Sequence, residues 1–197
     1  NFHAKINILI VHYQIKTKSK VVLTFNVPDV FQATDYTCGP ASLTAVLNYY
    51  GFDQREADLA KMAKTNEDNG TDPYDMIATI KQLGLQGEMK ENMTTSDLQG
   101  YLERGYPVIL LLQAWKDDDD PTPYPDDYDD GHYVVAIGYD ADYFYFEDPW
   151  IIGSLSYMKK VSSPDVGMAT SFTPKERRIY GCGIVALQNS KKIPIVI

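Results

Sequence analysis

This 197-residue sequence predicts an α+β fold, with a helical N-terminal part packed against an antiparallel β-sheet. Three observations carry that expectation. Apolar residues recur at helical spacing through the first half of the chain, from Leu43 to Leu102. Short β-branched and aromatic runs replace them in the second half, at 108–113, 133–139, 143–147 and 180–187. Tight polar connections such as Asp140-Ala141-Asp142 separate neighbouring runs and predict hairpin pairing. With 44% hydrophobic residues and 15 tyrosines, the chain fits one ordered domain over residues 1–197, its core at about 27–187.

Residues 6–15 and 21–27 read as two extra N-terminal strands joined by a lysine-rich turn at 16–20. A first helix follows Cys38. Pro40 suits its first turn, Leu43, Val46, Leu47 and Tyr50 give it a buried face, and Gly51 ends it. A second helix is expected over 55–64. A third starts at Asp72-Pro73, with Asp72 as cap, and runs to about Leu83. Gly84 to Met89 reads as a short strand. Thr94 with Asp97 forms a capping pattern for a fourth helix, which Gly105 stops. The apolar run 108–113 predicts a central strand covered on both faces. The strands 133–139 and 143–147 form a hairpin, and 180–187 supplies a last strand.

The stretch from Gln32 to Tyr50 carries the first sign of chemistry. Cys38 stands at a helix entry, where unpaired N–H groups and the helix dipole stabilise a thiolate. Gln32, six residues upstream, is placed to offer a side-chain amide beside the Cys38 N–H, and the two together make an oxyanion hole. His132 opens the 133–139 strand, and Asp148 follows the strand it pairs with, so the hairpin brings both to one end of the sheet. A carboxylate there holds the imidazole in one tautomer and orientation. Taken singly, each residue has a plainer reading: a buried thiol, a surface amide, a strand histidine, a turn aspartate. Their spacing outweighs those readings together. Glu147 alternates to the opposite face of the sheet, which favours Asp148 as the orienting group. Trp150 reads either as a roof over this cluster or as a core residue. Cys182, between two glycines, reads as a packed strand residue, and both cysteines are expected as free thiols.

The segments 32–50 and 131–150 resemble papain-like cysteine peptidases of the bacteriocin-processing type, which cleave leader peptides after a double glycine, and their stand-alone relatives. In that family a glutamine precedes the cysteine by this interval, a glycine follows it, and a histidine precedes an Asp-Pro pair. Here these fall on Gln32, Cys38, Gly39, His132 and Asp148-Pro149. The resemblance implies a papain-like fold and a cysteine peptidase with Cys38 as nucleophile, His132 as base, Asp148 as orienter and Gln32 as oxyanion donor. An acyltransferase or amidase on the same residues, or a non-catalytic peptide-binding module, are the alternatives. The chemistry requires no cofactor.

Residues 116–130 hold eight aspartates and three prolines and read as an extended, solvated insertion beside His132. Two functional expectations attach to it: selection of basic peptide substrates, or a gathering of Ca²⁺ at 117–130. The net charge of −9 argues against a nucleic-acid partner. No apolar run approaches the roughly 20 residues of a membrane span. The first residues, Asn-Phe-His-Ala-Lys, show no signal-peptide pattern and read as a trimmed or tagged end, which leaves the compartment open.

Overall fold

The computed structural model describes residues 23–91, 93–113, 121, 131–151, 156–159 and 182–187. Within them the chain forms β1 (Leu23–Thr24), α1 (Cys38–Tyr49), α2 (Glu56–Met62), α3 (Pro73–Gln82), β2 (Gln86–Glu91) and α4 (Thr95–Glu103). It continues with β3 (Val108–Gln113), β4 (Gly131–Tyr139), β5 (Tyr143–Glu147), β6 (Ser156–Lys159) and β7 (Cys182–Leu187). The strands build one antiparallel sheet in the order β2-β7-β3-β4-β5-β6. β1 pairs with the far end of β4, Leu23 opposite Tyr139, beyond the reach of β3. The hairpin expected between 6–15 and 21–27 lies largely outside the described residues, and its described end pairs with β4. Strand β6 was not foreseen from sequence.

Local chemistry explains where the helices start and stop. Asp72 caps α3 by accepting the Tyr74 N–H at 2.7 Å, with Pro73 in the first turn. Thr94 and Asp97 close a full capping box at the start of α4. Gly51, Gly84 and Gly105 follow α1, α3 and α4 at φ between +78° and +89°, the left-handed region in which a helix end is cheapest for glycine. Among the described residues no helix is long and apolar enough to cross a membrane.

The sheet is covered on both sides, as the apolar β3 run predicts. On one face Ile109, Tyr133, Val135 and Ile137 pack against Leu43, Val46 and Leu47 of α1 and Met76 and Ile80 of α3. On the other, Leu110, Leu112, Val134 and Phe144 pack against Leu98 and Leu102 of α4. A register shift between Ala136 and Gly138 turns Tyr139 onto the α4 side, where its ring meets Phe144. The sequence suggested one buried face for α1, yet every residue from Cys38 to Leu47 is buried. Ala41, Ser42, Thr44 and Ala45 fill its other sides. Small residues there let the helix sit between β4 and α2 and leave its N-terminus pinned within the protein.

Candidate active site

Three segments meet at the N-terminal end of α1. The first is the chain from Asp29 to Thr37, which leads into Cys38. The second is the start of β4, carrying His132. The third is the turn after β5, carrying Asp148, Pro149 and Trp150. A backbone hydrogen bond from Gln32 N–H to Pro149 O at 2.9 Å ties the first to the third.

His132 Nε2 lies 2.8 Å from Asp148 Oδ1. The same Oδ1 accepts the Trp150 N–H at 2.9 Å, and Ile151 N–H donates to Asp148 O, so the carboxylate sits in a closed turn that fixes its direction. His132 is 4% exposed. That burial pulls the imidazole pKa down. Hydrogen bonds to Asp148 and Cys38, with the charges on both, outweigh it and raise the pKa to about 9. Cys38 is a buried free thiol at the first position of α1. Close approach at this end depends on Gly39: a Cβ there would stand 2.9 Å from both Met76 Cε and Thr71 Oγ1. Tyr133, next to His132, donates its hydroxyl to Thr71 O at 2.9 Å and joins β4 to the same loop.

Gln32 is 3% exposed. Its Nε2 donates to Thr34 O at 2.7 Å, and its Oε1 is buried with no hydrogen-bond partner among the described residues. All four residues singled out from sequence thus belong to one neighbourhood: His132 interacts with both Asp148 and Cys38, and Gln32 is bonded to Pro149. Trp150 is 47% exposed, which overturns the core reading of that residue. The side chain of Cys182 and the acidic stretch 116–130, apart from Pro121, lie outside the described residues. So does any Ca²⁺ site at 117–130. Among the described residues no group of three or more His, Cys, Asp or Glu side chains is arranged to hold a metal ion.

Glu147, which strand alternation turns away from Asp148, and Asp29, Thr34 and Thr37, which carry no catalytic motif, also belong to this region. Glu147 and Asp29 line a small cleft with Ser42, Asp148 and Pro149, next to the turn that holds the imidazole. Burial, and then the charge of Asp29, push the Glu147 carboxyl up to about 7. Thr34 and Thr37 form a bonded turn between Gln32 and Cys38. The available signal was a threonine beside the cysteine with a second one three residues before it, a pattern suited to a side-chain-closed turn.

A family model described as the Peptidase_C39 like family matches residues 24–173. The chain is similar to an uncharacterized protein of Methanothermobacter thermautotrophicus, at 42% identity over 57 residues, 29% of this chain and 39% of that protein. It spans less than half the length of each curated relative it matches. Among solved structures it resembles the peptidase domain of Streptococcus ComA, a bi-functional ABC transporter involved in quorum sensing. That likeness has a TM-score of 0.58 and 23% identity, and covers 82% of this chain and 99% of that one. It also resembles a double glycine motif protease from an AMS/PCAT transporter, solved with its leader peptide, at TM-score 0.59 and 18% identity over 88% and 100% of the two chains. The α+β architecture is therefore the papain-like fold of those peptidase domains.

Proposed function

The chain belongs to the Peptidase_C39 like family, and on that premise we propose that it is a cysteine peptidase acting through Cys38, His132, Asp148 and Gln32. One observation carries the proposal: a buried imidazole held at 2.8 Å by Asp148 on one ring nitrogen and hydrogen-bonded to Cys38 at the head of a helix. Asp148 occupies Nε2, which leaves Nδ1 for the thiol. An imidazole that keeps its proton to about pH 9 supports a thiolate–imidazolium pair at neutral pH.

The chemistry follows from that pairing. The Cys38 sulfur attacks the carbonyl carbon of the scissile amide, and the carbonyl electrons move onto oxygen. The Cys38 N–H and the Gln32 amide donate to that oxyanion. His132 passes its proton to the amide nitrogen, the C–N bond breaks, and the amine product leaves a thioester on Cys38. His132, now neutral, takes a proton from water as that water attacks the thioester. The acid product departs and the pair is restored. Asp148 keeps the ring aligned through both proton transfers. No metal or cofactor enters these steps.

Peptides are the proposed substrates. The AMS/PCAT relative is solved with a leader peptide, and a chain of net charge −9 favours basic sequences. Residues 1–197 as a single peptidase domain, with its core at about 27–187, are part of the same proposal. Incubating the protein with a peptide library and reading new termini by mass spectrometry tests it. Cleavage by the parent that disappears in both Cys38→Ala and His132→Ala is the expected result. Cleavage that survives Cys38→Ala would rule the mechanism out.

A further inference from the structure

The turn between Gln32 and Cys38 directs three hydrogen bonds onto a single carbonyl. Thr34 O accepts from Gln32 Nε2 at 2.7 Å, from Thr37 N–H at 3.2 Å and from the Thr37 hydroxyl at 3.2 Å. Thr37 Oγ1 in turn accepts the Thr34 N–H at 3.0 Å and the Thr34 hydroxyl at 3.2 Å. Thr37 is also the N-cap residue of α1, a position where threonine ordinarily caps the helix with its hydroxyl. Here it makes no cap bond, because the hydroxyl is turned back onto Thr34. Thr37 is 6% exposed, so solvent does not compete for these bonds.

A glutamine amide has two ends of nearly equal shape, one a donor and one an acceptor. Only the donor end can stabilise an oxyanion; the acceptor end would repel it. Thr34 O decides between them, since turning the amide over would set Oε1 against a carbonyl oxygen. Nothing else among the described residues makes that choice, because Oε1 is buried without a partner. One Nε2 hydrogen is spent on Thr34 O, and the second is left to donate.

From this geometry we infer that Thr37 is a positioning residue. Its hydroxyl holds the Thr34 carbonyl, and the carbonyl locks the Gln32 amide with its donor end available at Cys38. Since Thr37 directly precedes Cys38, one turn sets both oxyanion donors, the Gln32 amide and the Cys38 N–H. The inference rests on the proposed roles of Cys38 and Gln32.

Two small probes separate positioning from general damage. With p-nitrophenyl acetate, the Cys38 sulfur forms a bond to the acyl carbon through an oxyanion, and p-nitrophenolate leaves. With iodoacetamide, the sulfur displaces iodide and no oxyanion forms. In Thr37→Val, acylation is expected to slow about tenfold while alkylation stays within about twofold of the parent. Thr37→Ser, which keeps the hydroxyl, should restore acylation. Adding Thr37→Val to Gln32→Ala should cost nothing further, because the latch acts only through Gln32. Thr37→Ala is measured alongside, so that a variant lost to misfolding, recognised by the loss of its cooperative circular-dichroism melt, is replaced by the other. Parental acylation in Thr37→Val, an equal fall in both reactions with the fold intact, or the same added loss in the Gln32→Ala background would each overturn the latch. Parental acylation in Gln32→Ala would instead remove the oxyanion role of Gln32, and the latch with it.

Discussion

Glu147 and Asp148 are adjacent carboxylates with opposite surroundings. Asp148 is bound to His132 and to the Trp150 N–H, whereas Glu147 is half-buried within reach of the Asp29 charge. Burial and that neighbour raise its pKa from 4.5 to about 7. The folded chain therefore holds this proton more tightly than the unfolded one. The stability it contributes is whole below about pH 4.5 and is lost as pH rises through about 7. Removing the charge should recover that loss. Glu147→Gln is expected to raise the melting temperature at pH 8 by about 2–4 °C, roughly 1 kcal/mol once the solvent-facing part of the side chain is discounted. At pH 4 parent and variant should melt together. Thermal scans at the two pH values check this, and an equal shift at both would show that Glu147 acts through packing rather than charge.

At the scale of elements, α1 is the piece on which the site depends, and its first turn has almost no slack. Gly39 faces Met76 and Thr71 at distances that no Cβ tolerates. Gly39→Ala must push α1 away from the loop before α3 or displace Met76, and overpacking of this kind costs about 1–3 kcal/mol. Circular-dichroism melting should show that loss, with slower alkylation of Cys38 as the helix end moves; a parental melt would mean the loop yields freely. The helices were the most legible elements in the sequence. Asp72-Pro73, Thr94 with Asp97, and the glycines after α1, α3 and α4 are signals written within a few residues of the boundary they mark. Strand order was not legible. β7 lies between β2 and β3, so its place depends on contacts across about 75 to 100 residues of chain. The four-residue β6 carries too short a pattern to show its period. The grouping of the candidate residues was legible for a related reason. Cys38 is marked by a helix start and Asp148 by a hairpin return, both local features, whereas the Thr34–Thr37 turn depends on which way a hydroxyl points.

Across the whole molecule, charge is the property with the clearest bearing on function. Acidic residues outnumber basic ones 27 to 18, and eight of the aspartates fall within 116–130, the stretch that leads into His132. On the proposed reading, a field of that sign would favour cationic peptides over anionic ones. Of two peptides matched in length, a lysine-rich one should be cleaved faster than a glutamate-rich one. That preference should shrink as salt rises from 20 to 500 mM, a range over which the Debye length falls from about 20 Å to about 4 Å. Equal turnover at low salt would exclude electrostatic selection.

The central claim is that His132 activates Cys38. It is tested most directly by the rate of Cys38 alkylation with iodoacetamide between pH 5 and 9, in the parent and in His132→Ala. Paired as described, Cys38 should label rapidly at pH 6, and the rate there should fall at least about tenfold when the imidazole is removed. Rates that follow an ordinary free-thiol curve, with a midpoint near pH 8.5, and that do not change in His132→Ala would contradict the account.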